Sequence, residues 1–408
     1  MSTERERQPV IAAAVRSPIG RAFKGSLVGL RPDDMSAQVV EALLARAPAL
    51  RRGDVEDLIW GCASPAGEQG YNLARVVAVL CGMREVPATT VNRYCASSLQ
   101  AVRMAAHAVA AGEGDVFVAG GVESVTRLAY GFADEMPGTH NPAFAGAEAR
   151  TARRNGPGAG PWEAQPALPD IYIAMGQTAE NVRQLCGVSR EAMDAFALRS
   201  QQRAVESQDN GFFEAEIVPL ELADGSLVAR DDSPRRGTDL AAMAKLAPAF
   251  RPDGEVTAGN SCPLNDGAAA VLVTSEQRAR DLGMAPLARV VASAVSALDP
   301  EVMGLGPVEA CRRALARAGM KMADVDLVEL NEAFAAQVIP CAEQLGISEG
   351  QLNVHGGAIA LGHPFGMTGA RMMTTLLNGL RADDGTVGLE TMCVGGGQGM
   401  AMVVERLD

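Results

Sequence analysis

Residues 88–120 read ATTVNRYCASSLQAVRMAAHAVAAGEGDVFVAG and predict a strand, a helix and a second strand in succession. The β-branched residues at 88–92 and the Val-rich residues at 115–120 are typical of strands, and the Ala-rich residues at 97–110 are typical of a helix. Two strands joined through a helix can pair in parallel. The stretch therefore predicts an α/β domain with a mainly parallel sheet.

The same alternation of strands and helices continues on both sides of this unit. Further strands are predicted at 10–15, 55–60, 268–274, 288–295, 327–330, 386–392 and 400–404. Further helices are predicted at 35–45, 73–80, 178–185, 190–208, 308–318, 335–345 and 369–380.

The second run of elements resembles the first. Residues 52–59 (RGDVEDLI) match residues 322–328 (MADVDLV) in residue type, and each segment follows a helix and leads into a strand. We therefore expect a duplicated α/β fold, and the alternative is a single Rossmann domain with additions.

A long interruption separates the two runs. Residues 126–170 are rich in Gly, Pro and Ala, which is unusual for an ordinary connection and indicates an irregular covering loop or a disordered segment. We predict an N-terminal half at 1–125, an inserted loop domain at 126–250, a return to the first half at 251–275 and a C-terminal half at 276–408.

Composition excludes several classes of protein. The chain has 408 residues, of which 48% are hydrophobic, and a net charge of −13, which argues against binding to a nucleic-acid backbone. Its charged start predicts no secretory signal, and no apolar run reaches the ~18 residues that cross a membrane. The eight cysteines are scattered without a Cys-x-x-Cys pair, so we expect reduced thiols in the cytoplasm rather than disulfides or zinc.

The cysteine most suited to chemistry lies where the first quoted strand gives way to its helix. A sulfur at residue Cys95 would face the positive end of that helix, where a thiolate would have a lowered pKa and become a better nucleophile. A purely structural cysteine remains the alternative.

Three other segments end strands or form glycine turns. His363 is held at a turn by Pro364 within NVHGGAIALGHP (353–364). Cys393 begins a glycine turn in TMCVGGGQG (391–399), whose amides could hold an anion. Asn331 and Glu332 follow a strand at the usual ligand-facing edge of a parallel sheet, although they could also cap the next helix.

Taken together, these segments resemble the thiolases over essentially the whole chain. The matching segments are NRYCASSLQA (92–101), AGGVESVTR (119–127), MGQTAENV (175–182), TAGNSCPLNDGAA (257–269), ELNEAFAAQ (329–337), GGAIALGHPFGMTGAR (356–371) and TMCVGGGQG (391–399). The resemblance implies two βαβαβαββ halves in five layers, α/β/α/β/α, with an inserted loop domain.

The resemblance also implies roles for five residues. Cys95 would be the acylated nucleophile, His363 the base that takes its proton, and Cys393 the acid/base at the α-carbon of the acetyl group. Asn331, through a water, and His363 would hold one thioester oxygen, and the amides of Cys95 and Gly395 the other.

Coenzyme A and acyl-CoA would be substrates, with neither a metal nor a redox cofactor. The loop domain and the GNSCPLNDG segment hold coenzyme A in this family, which implicates the residues Met175, Asn260, Ser261, Cys262 and Leu264. Cys262 stands where serine is common and Ser98 where glycine is usual. Ala174 replaces a histidine of the short-chain biosynthetic type and favours a degradative enzyme with a roomier acyl pocket.

The expected activity is that of a 3-ketoacyl-CoA thiolase of fatty acid β-oxidation. Alternatives are an acetyl-CoA C-acetyltransferase running the condensation, and a non-catalytic thiolase-like carrier of acyl-CoA or sterol. A ketoacyl synthase is disfavoured because those enzymes lack a cysteine in the final glycine turn, where this chain has Cys393. The family further implies a homodimer or homotetramer, and a hydratase/dehydrogenase partner is possible.

Overall fold

A computed structural model describes residues 7–130, 134, 136–156, 158 and 160–408. The strands in these residues are β1 Pro9–Arg16, β2 Gly20–Arg21, β3 Asp57–Gly61, β4 Ala88–Val91, β5 Val116–Ser124, β6 Leu220–Glu221, β7 Leu227–Val228, β8 Asn265–Ser275, β9 Ala288–Ala297, β10 Leu327–Leu330, β11 Val387–Val394 and β12 Gln398–Arg406. The α-helices are α1 Pro32–Ala45, α2 Leu73–Leu80, α3 Ser97–Ala111, α4 Ala145–Arg154, α5 Met175–Cys186, α6 Arg190–Asp209, α7 Leu240–Ala244, α8 Glu276–Asp281, α9 Gly306–Ala318, α10 Ala335–Leu345, α11 Ala358–Leu361 and α12 Thr368–Ala382.

The main sheet is mixed rather than mainly parallel. Its strand order is β10-β11-β12-β9-β1-β8-β5-β3-β4, with β2 paired to β8. Pairing is parallel between β10 and β11, β3 and β4, and β3 and β5, but antiparallel through β12, β9, β1 and β8. The prediction of a mainly parallel sheet is therefore wrong. A tight glycine turn joins β11 to β12 without a crossover helix, which permits antiparallel pairing only.

The sheet repeats one strand order twice, which confirms the duplicated α/β fold. Strands β3-β5-β8-β1 in the first run correspond to β10-β11-β12-β9 in the second. The counterpart of edge strand β4 is reduced to a single parallel bridge between Val328 and Leu352.

The helices form three layers around the two halves of the sheet. Helices α3 and α12 share one buried core with strand residues from both halves, including Leu99, Phe117, Met373 and Met400. Helices α1 and α2 cover the outer face of the first half, and α9 and α10 cover that of the second. Gly369 lets α12 approach α3 closely, because a Cβ at this position would lie 2.5 Å from the amide nitrogen of Leu99. The amino ends of the two central helices therefore meet.

The described residues of the inserted region contribute no strand to the main sheet. Between residues 126 and 250 it holds α4 to α7 and the small β6–β7 ribbon, in addition to short 3₁₀ turns. Helix α4 was not predicted, because the surrounding Gly and Pro residues hide the helical sequence AGAEARTARR (145–154). Residues 131–133, 135, 157 and 159 of the predicted irregular stretch lie outside the described residues. Within the described ranges, no helix is long and apolar enough to span a bilayer.

Candidate active site

Cys95 lies in a tight turn between β4 and α3. Tyr94, the residue before it, adopts a left-handed backbone conformation with φ of 45°, which is unfavourable for a bulky side chain. Two hydrogen bonds hold this conformation: the Tyr94 amide donates to Asn92 Oδ1 at 2.8 Å, and Ser97 Oγ donates to the Tyr94 carbonyl at 2.7 Å. The turn places the Cys95 side chain, which is 9% exposed, at the amino end of α3.

Burial controls the ionisation of Cys95. It raises the pKa of the thiol to about 11, and the backbone amides of Gly395 and Cys95 itself oppose this rise by hydrogen bonding to the sulfur. The expectation of a lowered pKa is therefore wrong for the free protein, because the loss of hydration outweighs the helix terminus. The same two amides converge on the sulfur, as donors to an oxyanion next to it would have to do.

His363 is buried beside the amino end of α12. Its Nδ1 lies 2.6 Å from Thr368 Oγ1, and that hydroxyl donates to the Pro364 carbonyl at 2.8 Å. Since the hydroxyl proton is directed at Pro364, Nδ1 must be the protonated ring nitrogen. Asn331 Nδ2 donates to Nε2 at 3.2 Å. This tautomer leaves the lone pair on Nε2, the form required of a general base.

The electrostatic surroundings keep His363 neutral. Burial and the charge of Arg371 lower the pKa of this histidine to about 3. A neutral imidazole can accept a proton from a neutral thiol when a substrate arrives. The resting pair is thus thiol and imidazole rather than thiolate and imidazolium.

Asn331 links the histidine to the sheet edge. The backbone amide of Asn331 donates to the Thr391 carbonyl at 3.0 Å, which continues the pairing of β10 with β11 beyond the end of β10. Its Oδ1 atom is buried and has no hydrogen-bond partner among the described residues. A buried polar atom without a partner is costly, so this oxygen is suited to a water or a substrate group.

Cys393 is the second-last residue of β11 and lies next to the Cys95 turn. The side chain is fully buried, and burial raises the pKa of its thiol well above the ordinary value. The charges of Cys95, Cys341 and Cys262, if ionised, would raise it further, so all three sulfurs lie near that of Cys393. A Cβ on Gly395 would lie 3.3 Å from the Tyr94 ring, which shows how closely the glycine turn packs against the Cys95 turn.

Glu332 has a structural rather than a catalytic position. Its carboxylate accepts hydrogen bonds from Ser200 Oγ at 2.6 Å, Asn353 Nδ2 at 2.8 Å and the Ile359 amide at 3.1 Å. These bonds tie α6 to the glycine-rich segment before His363. Of the predicted polar pair, only Asn331 faces the histidine.

The predicted coenzyme A segment lies beside the Asn331 loop. The Cys262 amide donates to the Ala333 carbonyl at 3.0 Å, and Ser261 forms a bridge with Phe334. Cys262 is half-buried and its pKa is raised by burial and by Cys95.

The other predicted coenzyme A residues differ in their accessibility. Leu264 is 51% exposed, and Met175 is half-buried at the start of α5. Asn260 is fully buried, with Nδ2 bonded to Asp194 at 2.8 Å and Oδ1 to the Thr257 amide at 2.8 Å. Ser261 is also buried and donates to the Thr257 carbonyl at 2.7 Å. Asn260 and Ser261 thus shape the segment, whereas Met175, Cys262 and Leu264 keep part of their side chains accessible.

Sequence reasoning did not assign a role to Thr368, which selects the tautomer of His363. The available signal was its position, five residues after His363 and directly before the helix predicted at 369–380. A hydroxyl in the first turn of a helix commonly accepts or donates a local hydrogen bond.

The fold and the site define a thiolase-type acyltransferase. The family described as "Thiolase, N-terminal domain" matches residues 9–277, and "Thiolase, C-terminal domain" matches residues 284–406. The chain belongs to the thiolase family.

Individual relatives show which members this chain is similar to. It is 46% identical to the 3-ketoacyl-CoA thiolase of Marinomonas sp. (strain MWYL1), over 98% of each chain. It is 42% identical to a beta-ketoadipyl-CoA thiolase of Acinetobacter baylyi, over 97% of this chain and 99% of that one. Among solved structures, the Bacillus anthracis acetyl-CoA acetyltransferase matches with a TM-score of 0.84 and 33% identity, over 99% of this chain and 100% of that one.

Proposed function

We propose that this protein is a 3-ketoacyl-CoA thiolase, which cleaves 3-oxoacyl-CoA with coenzyme A into acetyl-CoA and a shortened acyl-CoA. The observation that carries the proposal is the neutral His363, whose Nδ1 is held by Thr368 and whose Nε2 lies 3.2 Å from Asn331 Nδ2. The relatives named 3-ketoacyl-CoA thiolase, at 42–46% identity, support the same assignment.

The first step joins the substrate to Cys95 as a tetrahedral adduct. His363 Nε2 takes the proton of Cys95, and the sulfur attacks the 3-oxo carbonyl of the substrate. The negative oxygen that results is held by the amides of Cys95 and Gly395, which already converge on the sulfur. One such donor is worth about 3 kcal/mol of transition-state stabilisation.

The second step breaks the carbon–carbon bond. The tetrahedral adduct collapses to an acyl-enzyme, a thioester on Cys95, and the electron pair of the broken bond passes to the acetyl-CoA fragment, which leaves as an enolate. Its oxygen is held by His363, now protonated at Nε2, and by a water on Asn331. Cys393 then donates its proton to the α-carbon, a role suited to a thiol that burial keeps protonated.

The third step releases the product. The thiol of a fresh coenzyme A gives its proton to the Cys393 thiolate, and its sulfur attacks the acyl group on Cys95. Cys95 leaves and recovers its proton from His363, which restores the resting enzyme. Two substrates that react in turn through one covalent intermediate give ping-pong kinetics. The groups named here supply each proton transfer, so we propose that neither a metal nor a redox cofactor takes part.

A cavity beside residues 258–263 is suited to the phosphate end of coenzyme A. It has a volume of about 140 Å³ and is lined by Ala258, Gly259 and Pro263 together with Arg21 and Arg235. Two guanidinium groups in a chain of strong negative charge favour an anion at this position. The pantetheine arm would then pass Leu264 and Cys262 to reach Cys95.

A dicarboxylic acyl chain is a second candidate for the substrate. Arg93 precedes the nucleophile turn and bonds only to neutral amides, Gln100 Oε1 at 2.9 Å and Gln398 Oε1 at 2.8 Å. Within the described part of the chain it forms no salt bridge with a carboxylate. A half-buried cation of this kind could receive a terminal carboxylate, as in 3-oxoadipyl-CoA.

Activity on a panel of 3-oxoacyl-CoA substrates tests the proposal. Purified protein should consume acetoacetyl-CoA or a longer 3-oxoacyl-CoA when coenzyme A is added, and Cys95→Ala should abolish this. Equal rates before and after Cys95→Ala would refute the mechanism. Preference for 3-oxoadipyl-CoA, lost in Arg93→Gln, would favour the second candidate.

Cys393 requires a separate experiment. We expect Cys393→Ala to become acylated at Cys95 from acetyl-CoA, yet to fail to exchange the α-protons of acetyl-CoA with solvent deuterium. Normal exchange in this variant would remove Cys393 from the mechanism.

We further propose that the protein acts as a homo-oligomer in the cytoplasm, in fatty acid β-oxidation. Strand β4 is an edge of the sheet, and the neighbouring side chains of Tyr71, Val79 and Leu80 are 96%, 46% and 51% exposed. A second copy pairing along β4 would extend the sheet and cover this apolar surface. Light scattering should give a dimer or tetramer mass, reduced in Leu80→Glu.

A further inference from the structure

A buried carboxylate links the two segments that carry Cys95 and His363. Glu123 near the end of β5 is 0% exposed. Its Oε2 accepts the backbone amides of Ala63 and Gly366, both at 2.9 Å. Its Oε1 accepts the Ser64 amide at 3.2 Å and Gln69 Nε2 at 2.8 Å. The Cys62 thiol also donates to Oε1, at 3.8 Å. All five partners are donors, so the group acts here only as an acceptor.

One arm of this arrangement leads to the nucleophile. Glu123 accepts the backbone amide of Ala63, and the carbonyl of Ala63 accepts a hydrogen bond from Asn92 Nδ2 at 2.9 Å. The same Asn92 side chain accepts the Tyr94 amide on Oδ1 at 2.8 Å. That bond helps to hold Tyr94 in the left-handed conformation that sets the direction of Cys95. Three hydrogen bonds therefore connect the carboxylate to the catalytic turn.

The other arm leads to the base. Gly366 lies three residues after His363, in the loop before α12. A Cβ on Gly366 would overlap the Val122 carbonyl oxygen and lie 2.9 Å from Cys62 Cα. The loop is therefore pressed directly onto the ends of β3 and β5, where Glu123 Oε2 receives its amide. Only a residue without a side chain permits this approach.

We propose that Glu123 is a positioning residue that sets the distance and angle between the Cys95 sulfur and the His363 imidazole by holding both loops on one carboxylate. The inference rests on the proposed function of that pair. Glutamine in place of Glu123 keeps the size of the side chain but presents an NH₂ group to donors. At least one buried N–H then loses its acceptor, and the two loops can shift against each other.

The test separates positioning from folding by counting active sites. Acetyl-CoA acylates Cys95, and intact-mass spectrometry gives the fraction of chains that can be acylated. Turnover divided by this fraction should fall about 10²-fold in Glu123→Gln, the loss expected for a misplacement of about 1 Å. KM for coenzyme A should stay within about twofold, since Cys262 and Leu264 do not contact Glu123.

Glu301→Gln is the matched control. Glu301 is also buried, and its Oε1 accepts the backbone amide of Asp170 at 3.0 Å. The segments that contain Glu301 and Asp170 carry neither Cys95 nor His363. We expect this variant to lower thermal stability while turnover per acylated site stays unchanged. An unchanged turnover per acylated site in Glu123→Gln, or an equal fall of that turnover in Glu301→Gln, would overturn the inference.

Asn92→Ala provides a second variant if Glu123→Gln does not fold. Asn92 is exposed, so its replacement does not disturb the core, but it breaks the arm to Tyr94. A lower turnover per acylated site is expected here too, and an unchanged value would contradict the linkage. An unmodified protein that cannot be acylated or turn over would instead refute the proposed function.

Discussion

Replacing Thr368 by valine tests whether the tautomer of His363 matters for activity, because it removes the hydroxyl beside Nδ1 and keeps the size of the side chain. The methyl group of valine matches the hydroxyl in size, but it can neither accept a hydrogen bond from His363 Nδ1, which lies 2.6 Å from Thr368 Oγ1, nor donate to the Pro364 carbonyl. Thr368 is 1% exposed, so water does not replace the lost partner. The imidazole must then bury an unpaired N–H or move its proton to Nε2, where the donor Asn331 Nδ2 already lies at 3.2 Å.

The size of the effect follows from this choice. Leaving a buried polar group without a partner costs about 1–3 kcal/mol, which corresponds to about a 5- to 150-fold fall in kcat when it weakens the general base. KM for coenzyme A should change little. The assay is the thiolysis of acetoacetyl-CoA, followed as the loss of 3-oxoacyl absorbance on addition of coenzyme A.

Thr374→Val is the matched control for this experiment. Thr374 lies on the same helix, is 4% exposed and donates to the carbonyl four residues earlier, Ala370, at 2.8 Å. It has no hydrogen bond to His363, so its replacement should leave kcat unchanged. Full activity of Thr368→Val, or an equal loss in Thr374→Val, would refute the role of the hydroxyl.

Three further results are expected. Because burial raises the pKa of Cys95 to about 11, its alkylation by iodoacetamide should keep accelerating up to that pH, and a plateau by pH 9 would contradict this. Burial raises the pKa of Glu329 from 4.5 to about 8, so its contribution to stability is full below pH 4.5 and is lost as pH rises through 8. Glu329→Gln should flatten the melting temperature over this range, whereas a curve parallel to the parent's would refute the assignment. Cys262→Ser should lower KM for coenzyme A up to about fivefold with kcat unchanged, by restoring a hydroxyl donor, and an unchanged KM would argue against a pantetheine contact.

The pattern of helices and strands could be predicted from the sequence because it depends on local periodicity. Leu73–Leu80, Leu327–Leu330 and Ala335–Leu345 begin and end where the sequence predicts them. Helix α4 was missed because a short helix among Gly and Pro residues has too few turns to show a period.

The direction of strand pairing could not be predicted in the same way. Strand β8 returns after the long insertion and pairs antiparallel with both β1 and β5. The hydrophobic pattern of a strand buried on both faces is the same for either direction, so only the assembled sheet decides it.

The sequence by itself determined the family and the groups that could react, since residue types at strand ends and glycine turns are visible without coordinates. Their protonation states were decided by tertiary structure alone. Cys95 retains its proton and His363 stays neutral because the central layer of helices removes water from both, an effect of burial that no local pattern expresses. The partners Thr368 and Asn331, which select the nitrogen that acts as base, also meet His363 only when the loops pack together.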